Sequence, residues 1–194
     1  MTNPVLENIL TRRSIRRFIP QQISDEARDA ILLAGRYAPT GMDLQSWRFT
    51  VIQDPAWMER VNTAIREAFL LYQVTDQTTP YMRGLVEKAK AGKAGFLFRA
   101  PTCVIVTNGV HIENATADCA LAIGNMMLAA HALGVGSCWV SQLSRLTRLA
   151  PVRHLLDELG LPDDHIVCGS VVLGYPQGAP PQAPPRKEDP VRIF

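Results

Sequence analysis

The chain reads as an α+β domain in which helices flank a central sheet, and three features carry that reading. Residues 103–107 (Cys-Val-Ile-Val-Thr) form an unbroken apolar run, as expected of a central strand buried on both faces. Residues 117–132 are helix-length, and Ala, Gly, Leu, Ile and Met cover almost the whole helical surface, so this helix is expected to be buried nearly all round. Shorter strand-like segments alternate with amphipathic helices around these two, with no internal repeat. With 194 residues, 47% apolar and 20% charged, one domain over 1–194 with a real core is the expectation.

Taken in order, Asn3 can cap a first helix that has Pro4 at its first position and runs to about Thr11. Arg12-Arg13-Ser14-Ile15-Arg16-Arg17-Phe18 follows, in extended chain ending at Pro20. Ser24 caps a second helix with Asp25 and Glu26 in its first turn, an inner stripe of Ala27, Ile31, Ala34 and Ala38, and a stop before Pro39. Residues 39–46 are a loop. Residues 47–53 are a strand, with Trp47 expected in the core. Asp54 and Pro55 start a third helix reaching about Leu71, with Met58, Val61, Ile65 and Phe69 inward.

Residues 72–95 are the least regular part, a loop and a polar helix that form either a cover over a site or a plain surface insertion. After the central strand, Thr116 and Asp118 open the long apolar helix. Its Gly124 and alanines invite a close neighbour, and Gly134 suits a left-handed cap. Residues 135–140 are a short strand, Pro151 begins a helix closed by Gly160, and residues 167–173 are the last core strand. Gly174-Tyr175-Pro176 turns the chain. Four prolines between Ala179 and Pro185 make residues 177–194 a stiff strap that delivers Arg186-Lys187, and residues 191–194 are able to add an edge strand.

Several function classes fall away. The net charge is only +2, so the basic cluster is a local device and not the signature of a dedicated nucleic-acid binder. No apolar run has the length of a membrane span, and the N-terminus reads as a mixed helix rather than a targeting signal. Cys103, Cys119, Cys138 and Cys168 lie far apart in apolar segments, as buried thiols of a reducing cytoplasm would. The four histidines share no metal spacing, and His131 is expected in the core or at an interface. There is no phosphate-loop or dinucleotide fingerprint.

The arginine run puts four guanidiniums in six residues. Each offers a planar fork of donors matched to phosphate oxygens. In extended chain Arg12, Ser14 and Arg16 share one face, while Arg13 and Arg17 take the other. Alone, such a run is either a solvated basic patch, an arm for nucleic acid or a phosphate cradle.

Three stretches taken together resolve that choice. They are Arg12-Arg13-Ser14-Ile15-Arg16-Arg17-Phe18, then Ala38-Pro39-Thr40-Gly41-Met42-Asp43-Leu44-Gln45-Ser46-Trp47, then Leu173-Gly174-Tyr175-Pro176 with Arg186-Lys187. In this order they resemble the nitroreductase family, which carries R-R-S-[IV]-R-x-[FY], A-P-[ST]-x-x-N-x-Q-P-W and L-G-[YF]-P with a basic pair. The apolar helix and Leu133-Gly134-Val135-Gly136-Ser137-Cys138-Trp139 resemble the family's central helix and the strand after it.

The resemblance implies a three-layer α-β-α fold with a mostly antiparallel sheet and a C-terminal extension reaching the partner subunit. It also implies FMN bound without covalent attachment at a homodimer interface, with NADH or NADPH as reductant and a small electron-poor acceptor such as a nitroaromatic or quinone. By position it assigns Arg12, Arg13, Ser14 and Arg16 to the phosphate and ribityl end, Arg13 reaching the ring system as well. Arg186 and Lys187 add charge at the phosphate. Pro39, Thr40, Gly41 and Gln45 line the flavin from the other subunit, and Trp139, Val140 and Ser141 pass the ring by backbone contacts. No side-chain catalytic residue is required, because the flavin carries the chemistry. Arg17 is expected to face away. Asp43 stands where the family has asparagine and Ser46 where it has proline; an ionised aspartate cannot donate, so Asp43 is expected to pair with a neighbouring arginine.

Overall fold

The centre of the molecule is β2 (Thr102–Gly109), every residue of which is buried, as its unbroken apolar composition demands. The computed structural model describes residues 3–92, 95–186 and 192–193. β2 pairs with β1 (Arg48–Ile52) on one side and β4 (His165–Gly174) on the other. β3 (Gly136–Val140) completes the order β1-β2-β4-β3, and all three pairings are antiparallel. Side-chain alternation divides the strand between two cores: Cys103 and Ile105 enter one, Val104 and Val106 the other. Burying each such aliphatic side chain contributes roughly 1.5–3 kcal/mol.

Among the described residues seven helices cover the sheet. α2 (Asp25–Arg36) and α5 (Ala115–Ala132) lie over the Val104 face. α3 (Pro55–Leu71), α4 (Pro80–Lys90), α6 (Gln142–Leu146) and α7 (Ala150–Glu158) lie over the Ile105 face. The α-β-α layering and the antiparallel sheet are as expected. The start signals act as the sequence predicts: Asn3 accepts from Val5 N at 2.9 Å at the head of α1 (Pro4–Thr11), Ser24 from Ala27 N at 3.2 Å, and Asp54 from Ala56 N at 2.9 Å. Gly134, at φ 71°, ends α5, with Val135 N bonded back to Ala130 O at 2.8 Å.

Four expectations need correction. α2 ends at Arg36, two residues short of Ala38, and its buried contact includes Gly35. The close approach between α2 and α5 is made there and not at Gly124: a Cβ on Gly35 would meet Met126 Cε at 2.4 Å, whereas one on Gly124 meets nothing within 4 Å. The helix α6 was not anticipated; five residues are too few to show a helical period. Most important, α5 is buried on one face only. Cys119, Ile123 and Met126 are enclosed, but Leu121 is 48% exposed. An apolar helix surface does not say what covers it, and this chain covers half.

α1 rests on the far end of α5, where Asn8 Nδ2 donates to Leu128 O at 3.0 Å and Thr11 Oγ1 meets His131 Nε2 at 2.9 Å. Yet α1 buries no residue, and Val5, Leu6, Ile9 and Leu10 stand out in solvent. At the C-terminus, Val191 and Phe194 of the anticipated edge strand lie outside the described residues, while Arg192 and Ile193 belong to no strand and are exposed.

Candidate functional site

The arginine run lies along the free edge of β3. Ile15 N donates to Ser137 O at 2.9 Å, and Ser14 and Ser137 form a parallel bridge. Further on, Ile19 N bonds to Tyr175 O and Gln177 N to Arg17 O, both at 3.0 Å, so the start of the C-terminal strap is sewn to the same stretch. Ile15 and Phe18 are the buried anchors. These bonds fix the backbone from which the charged side chains project.

Arg12, Ser14 and Arg16 converge on one place, the buried thiol of Cys138 on β3. Burial pushes that thiol up, and the Arg16 guanidinium, the Ser14 hydroxyl and the Arg12 guanidinium oppose the rise. Arg13 and Arg17 do not act there. Arg13 folds back, its Nη1 donating to Leu10 O at 2.8 Å and Arg12 O at 2.6 Å, where it closes the end of α1. Arg16 also sits over the Phe98 ring, 5.9 Å from its centroid, and Phe98 and Arg99 occupy a turn in which both have φ near 55°.

One atom in this cluster stands out. Arg12 Nη1 is buried and, among the described residues, has no hydrogen-bond partner. A buried guanidinium nitrogen left bare is costly, and an anion satisfies it. Next to it, burial and the charges of Arg12 and Arg13 hold His131 below the ordinary histidine value, so its neutral form is favoured.

The second predicted stretch is built differently. In the loop after α2, Gly41–Asp43 form a tight turn, and Met42, Asp43 and Gln45 have φ of 52°, 53° and 48°. Three non-glycine residues in the left-handed region within four positions store strain, worst at Met42. The loop is held by α5: Gly41 N donates to Asp118 Oδ1 at 3.2 Å and Oδ2 at 3.3 Å, and Asp118 is only 4% exposed. A Cβ on Gly41 would meet Asn114 Nδ2 at 2.4 Å, so a larger residue here would displace the end of that side chain. Gln45 N donates to Thr40 Oγ1 at 3.2 Å. Asp43 does not pair with an arginine as expected; it accepts from Gln45 Nε2 at 2.8 Å, because the left-handed turn points the two side chains at each other. Pro39 and Gln45 are exposed and border a groove of about 500 Å³ with Leu33, Arg36 and Tyr37.

At the end of β3, the half-buried Trp139 ring packs against Gly169 of β4. Val140 O accepts from Ser170 Oγ at 2.8 Å, and Ser141 leads into α6. Arg186 is exposed on the strap, and Lys187 lies outside the described residues.

The two halves are not neighbours in one chain. Asp118 holds the loop near the start of α5, and His131 stands beside Arg12 near its end. Thirteen residues of helix rising ~1.5 Å each separate them by about 20 Å. Sequence reasoning missed the residues that support these halves. In the sequence Asp118 reads as a helix-opening acid and Cys138 as one buried thiol among four; Phe98 carries no local signal at all.

Known proteins resemble this chain along its length. The family model described as Nitroreductase family matches residues 9–175. A protein of Archaeoglobus fulgidus provisionally named NADH dehydrogenase/NAD(P)H nitroreductase is 32% identical over 172 residues, covering 89% of this chain and 85% of its own. A protein of the same provisional name from Methanothermobacter thermautotrophicus is 30% identical over 181 residues, covering 91% and 79%. Among solved structures, a nitroreductase with bound FMN from Bacteroides fragilis superposes with a TM-score of 0.89, at 39% identity and full coverage of both chains.

Proposed function

Since this chain belongs to the nitroreductase family, we propose that it is an FMN-dependent oxidoreductase that passes electrons from NADH or NADPH to a nitroaromatic, quinone or similar electron-poor acceptor, in two half-reactions at one site. The observation that carries the proposal is the buried Arg12 Nη1, which has no hydrogen-bond partner among the described residues, with Ser14 and Arg16 also near the Cys138 thiol. A terminal phosphate is the anion that fits such a set: several charge-assisted donors each contribute roughly 1.5–3 kcal/mol. FMN, when bound, supplies the electron and hydride chemistry.

The chain's own residues do the rest. Arg12, Ser14 and Arg16 hold the phosphate and ribityl end, Arg16 being fixed by Phe98. Arg13 is assigned to the same end, although its guanidinium closes α1 in this chain. Arg186 and Lys187 bring further charge on the strap. The backbone from Trp139 to Ser141 runs beside the ring, and Pro39, Thr40, Gly41 and Gln45 line it from a second copy.

A homodimer is supported by two observations. The two halves lie about 20 Å apart on α5, too far for one loop to complete its own chain's arginine cluster. The outer face of α5 and the apolar side of α1 are also uncovered, the pattern of a surface that another subunit buries. Purified protein should take up FMN, and the flavin absorbance should bleach anaerobically with NADH or NADPH and return with a quinone or nitroaromatic. Protein that takes up no FMN defeats the proposal. A monomer that retains FMN at working concentration defeats the shared site.

A further inference from the structure

We propose that the groove between the end of α2 and the Gly41 turn seats the nicotinamide reductant, with Arg36 holding the phosphate that follows its ribose. This rests on the reading above, in which Pro39 and Gln45 line the flavin of a second copy. The same two residues border the groove, with Asp43 from the turn and Leu33, Arg36 and Tyr37 from the end of α2. A molecule that lies over the ring therefore meets this groove as it extends away from the flavin. The volume, about 500 Å³, is that of a small-molecule site.

Arg36 is exposed and, among the described residues, makes no hydrogen bond or ion pair. Arg28, Arg60 and Arg153 are each matched to a carboxylate. A basic residue in the last turn of a helix also suits the helix dipole, so its charge alone assigns nothing. The surroundings do. Leu33 is 50% exposed and Tyr37 81%, and they set aliphatic and aromatic surface beside the guanidinium. Such a surface takes a ligand with a flat ring at one end and an anion at the other.

The rest of the groove works against an anion. The Tyr37 N–H is spent on Leu33 O at 3.2 Å and Ala34 O at 3.3 Å. The carbonyl end of α2 carries partial negative charge. Asp43 adds a carboxylate, whose Oδ1 accepts from Gln45 Nε2 at 2.8 Å. Arg36 is the one positive charge in the lining, so it decides where an anion sits.

The half that NADH and NADPH share is a nicotinamide ring, a ribose and a phosphate, which is this ligand chemistry. With the ring over the flavin, the phosphate falls to Arg36. Because that phosphate is common to both reductants, the contact strengthens both alike. The copy that lends the loop thus holds the reductant, while the Arg12 cluster of the other copy holds the flavin.

The test is stopped-flow reduction of the FMN-loaded enzyme by reduced nicotinamide mononucleotide and by reduced nicotinamide riboside, which differ by that phosphate alone. Arg36→Gln keeps much of the stem and removes the charge. The mononucleotide concentration giving half the limiting rate should rise roughly tenfold, the size of one charge-assisted bond at an exposed site, with the limiting rate unchanged. The riboside should behave as in wild type. Arg36→Lys should recover part of the loss, and high salt should shrink the difference from wild type. Asp43→Asn should tighten binding of the mononucleotide and not of the riboside. Calorimetric titration of the oxidised holoenzyme with nicotinamide mononucleotide should show the Arg36→Gln loss without turnover. Equal weakening of both reductants, or of neither, overturns the inference while leaving the flavin reading intact. So does an Arg36→Gln protein that becomes monomeric, which makes the groove a contact between copies. Slower reoxidation of Arg36→Gln by para-nitrobenzoate but not by para-nitrobenzamide, with the mononucleotide unaffected, overturns it in favour of an acidic acceptor. Wild-type protein that binds no FMN overturns both.

Discussion

The two ends of α5 carry the two candidate stretches, and they are built on opposite principles. At the Arg12 end the backbone is sewn to the edge of β3, while the side chains hold the unspent potential: a buried guanidinium nitrogen without a partner among the described residues. At the Gly41 end the carboxylates of Asp118 and Asp43 both have partners, and the backbone holds the tension in three left-handed non-glycine residues. The first half is organised to attract a charge. The second is organised to keep a shape. A phosphate requires strong donors, whereas a flat ring requires a surface with fixed backbone groups.

If that contrast is right, the largest effect lies with charge. Arg16→Ala should weaken FMN binding by roughly ten- to a hundred-fold, as expected for one charge-assisted bond, and Arg17→Ala should leave it near wild type. Flavin titration of both variants decides it, and equal losses break the division of faces. A smaller effect is expected at the other end. Asp118→Ala removes the buried carboxylate that receives Gly41 N–H, so the loop should loosen. We expect a stability loss of about 1.5–3 kcal/mol by denaturant unfolding with a weaker flavin complex. Unchanged flavin affinity would mean that the loop's shape is not part of the site. The smallest effect is a gain. Met42→Gly relieves a left-handed residue and should stabilise the apoprotein by about 1 kcal/mol, the relief being partly offset by glycine's greater freedom when unfolded. A lower melting temperature would show that the turn is not strained.

Much of the frame was legible residue by residue. Asn3, Ser24 and Asp54 announce helices because capping is local chemistry, and residues 103–107 announce a central strand because no water-facing side exists in their composition. What escaped was what depends on neighbours distant in sequence. Asp118 anchors a loop 77 residues before it. Asp43 found a glutamine and not an arginine, since the reversed φ of the turn was invisible beforehand. α5 looked enclosed because composition reports hydrophobicity but not what lies opposite.

By itself, then, the sequence determined most of the elements and the chemical character of the arginine edge, since propensity, periodicity and charge are properties of short stretches. Only the tertiary structure decided that Arg12 is left with an empty donor among the described residues and that the Pro39–Gln45 loop hangs about 20 Å away along the same helix. Those are matters of distance between residues far apart in the chain, fixed by how the helices pack on the sheet and by no local rule.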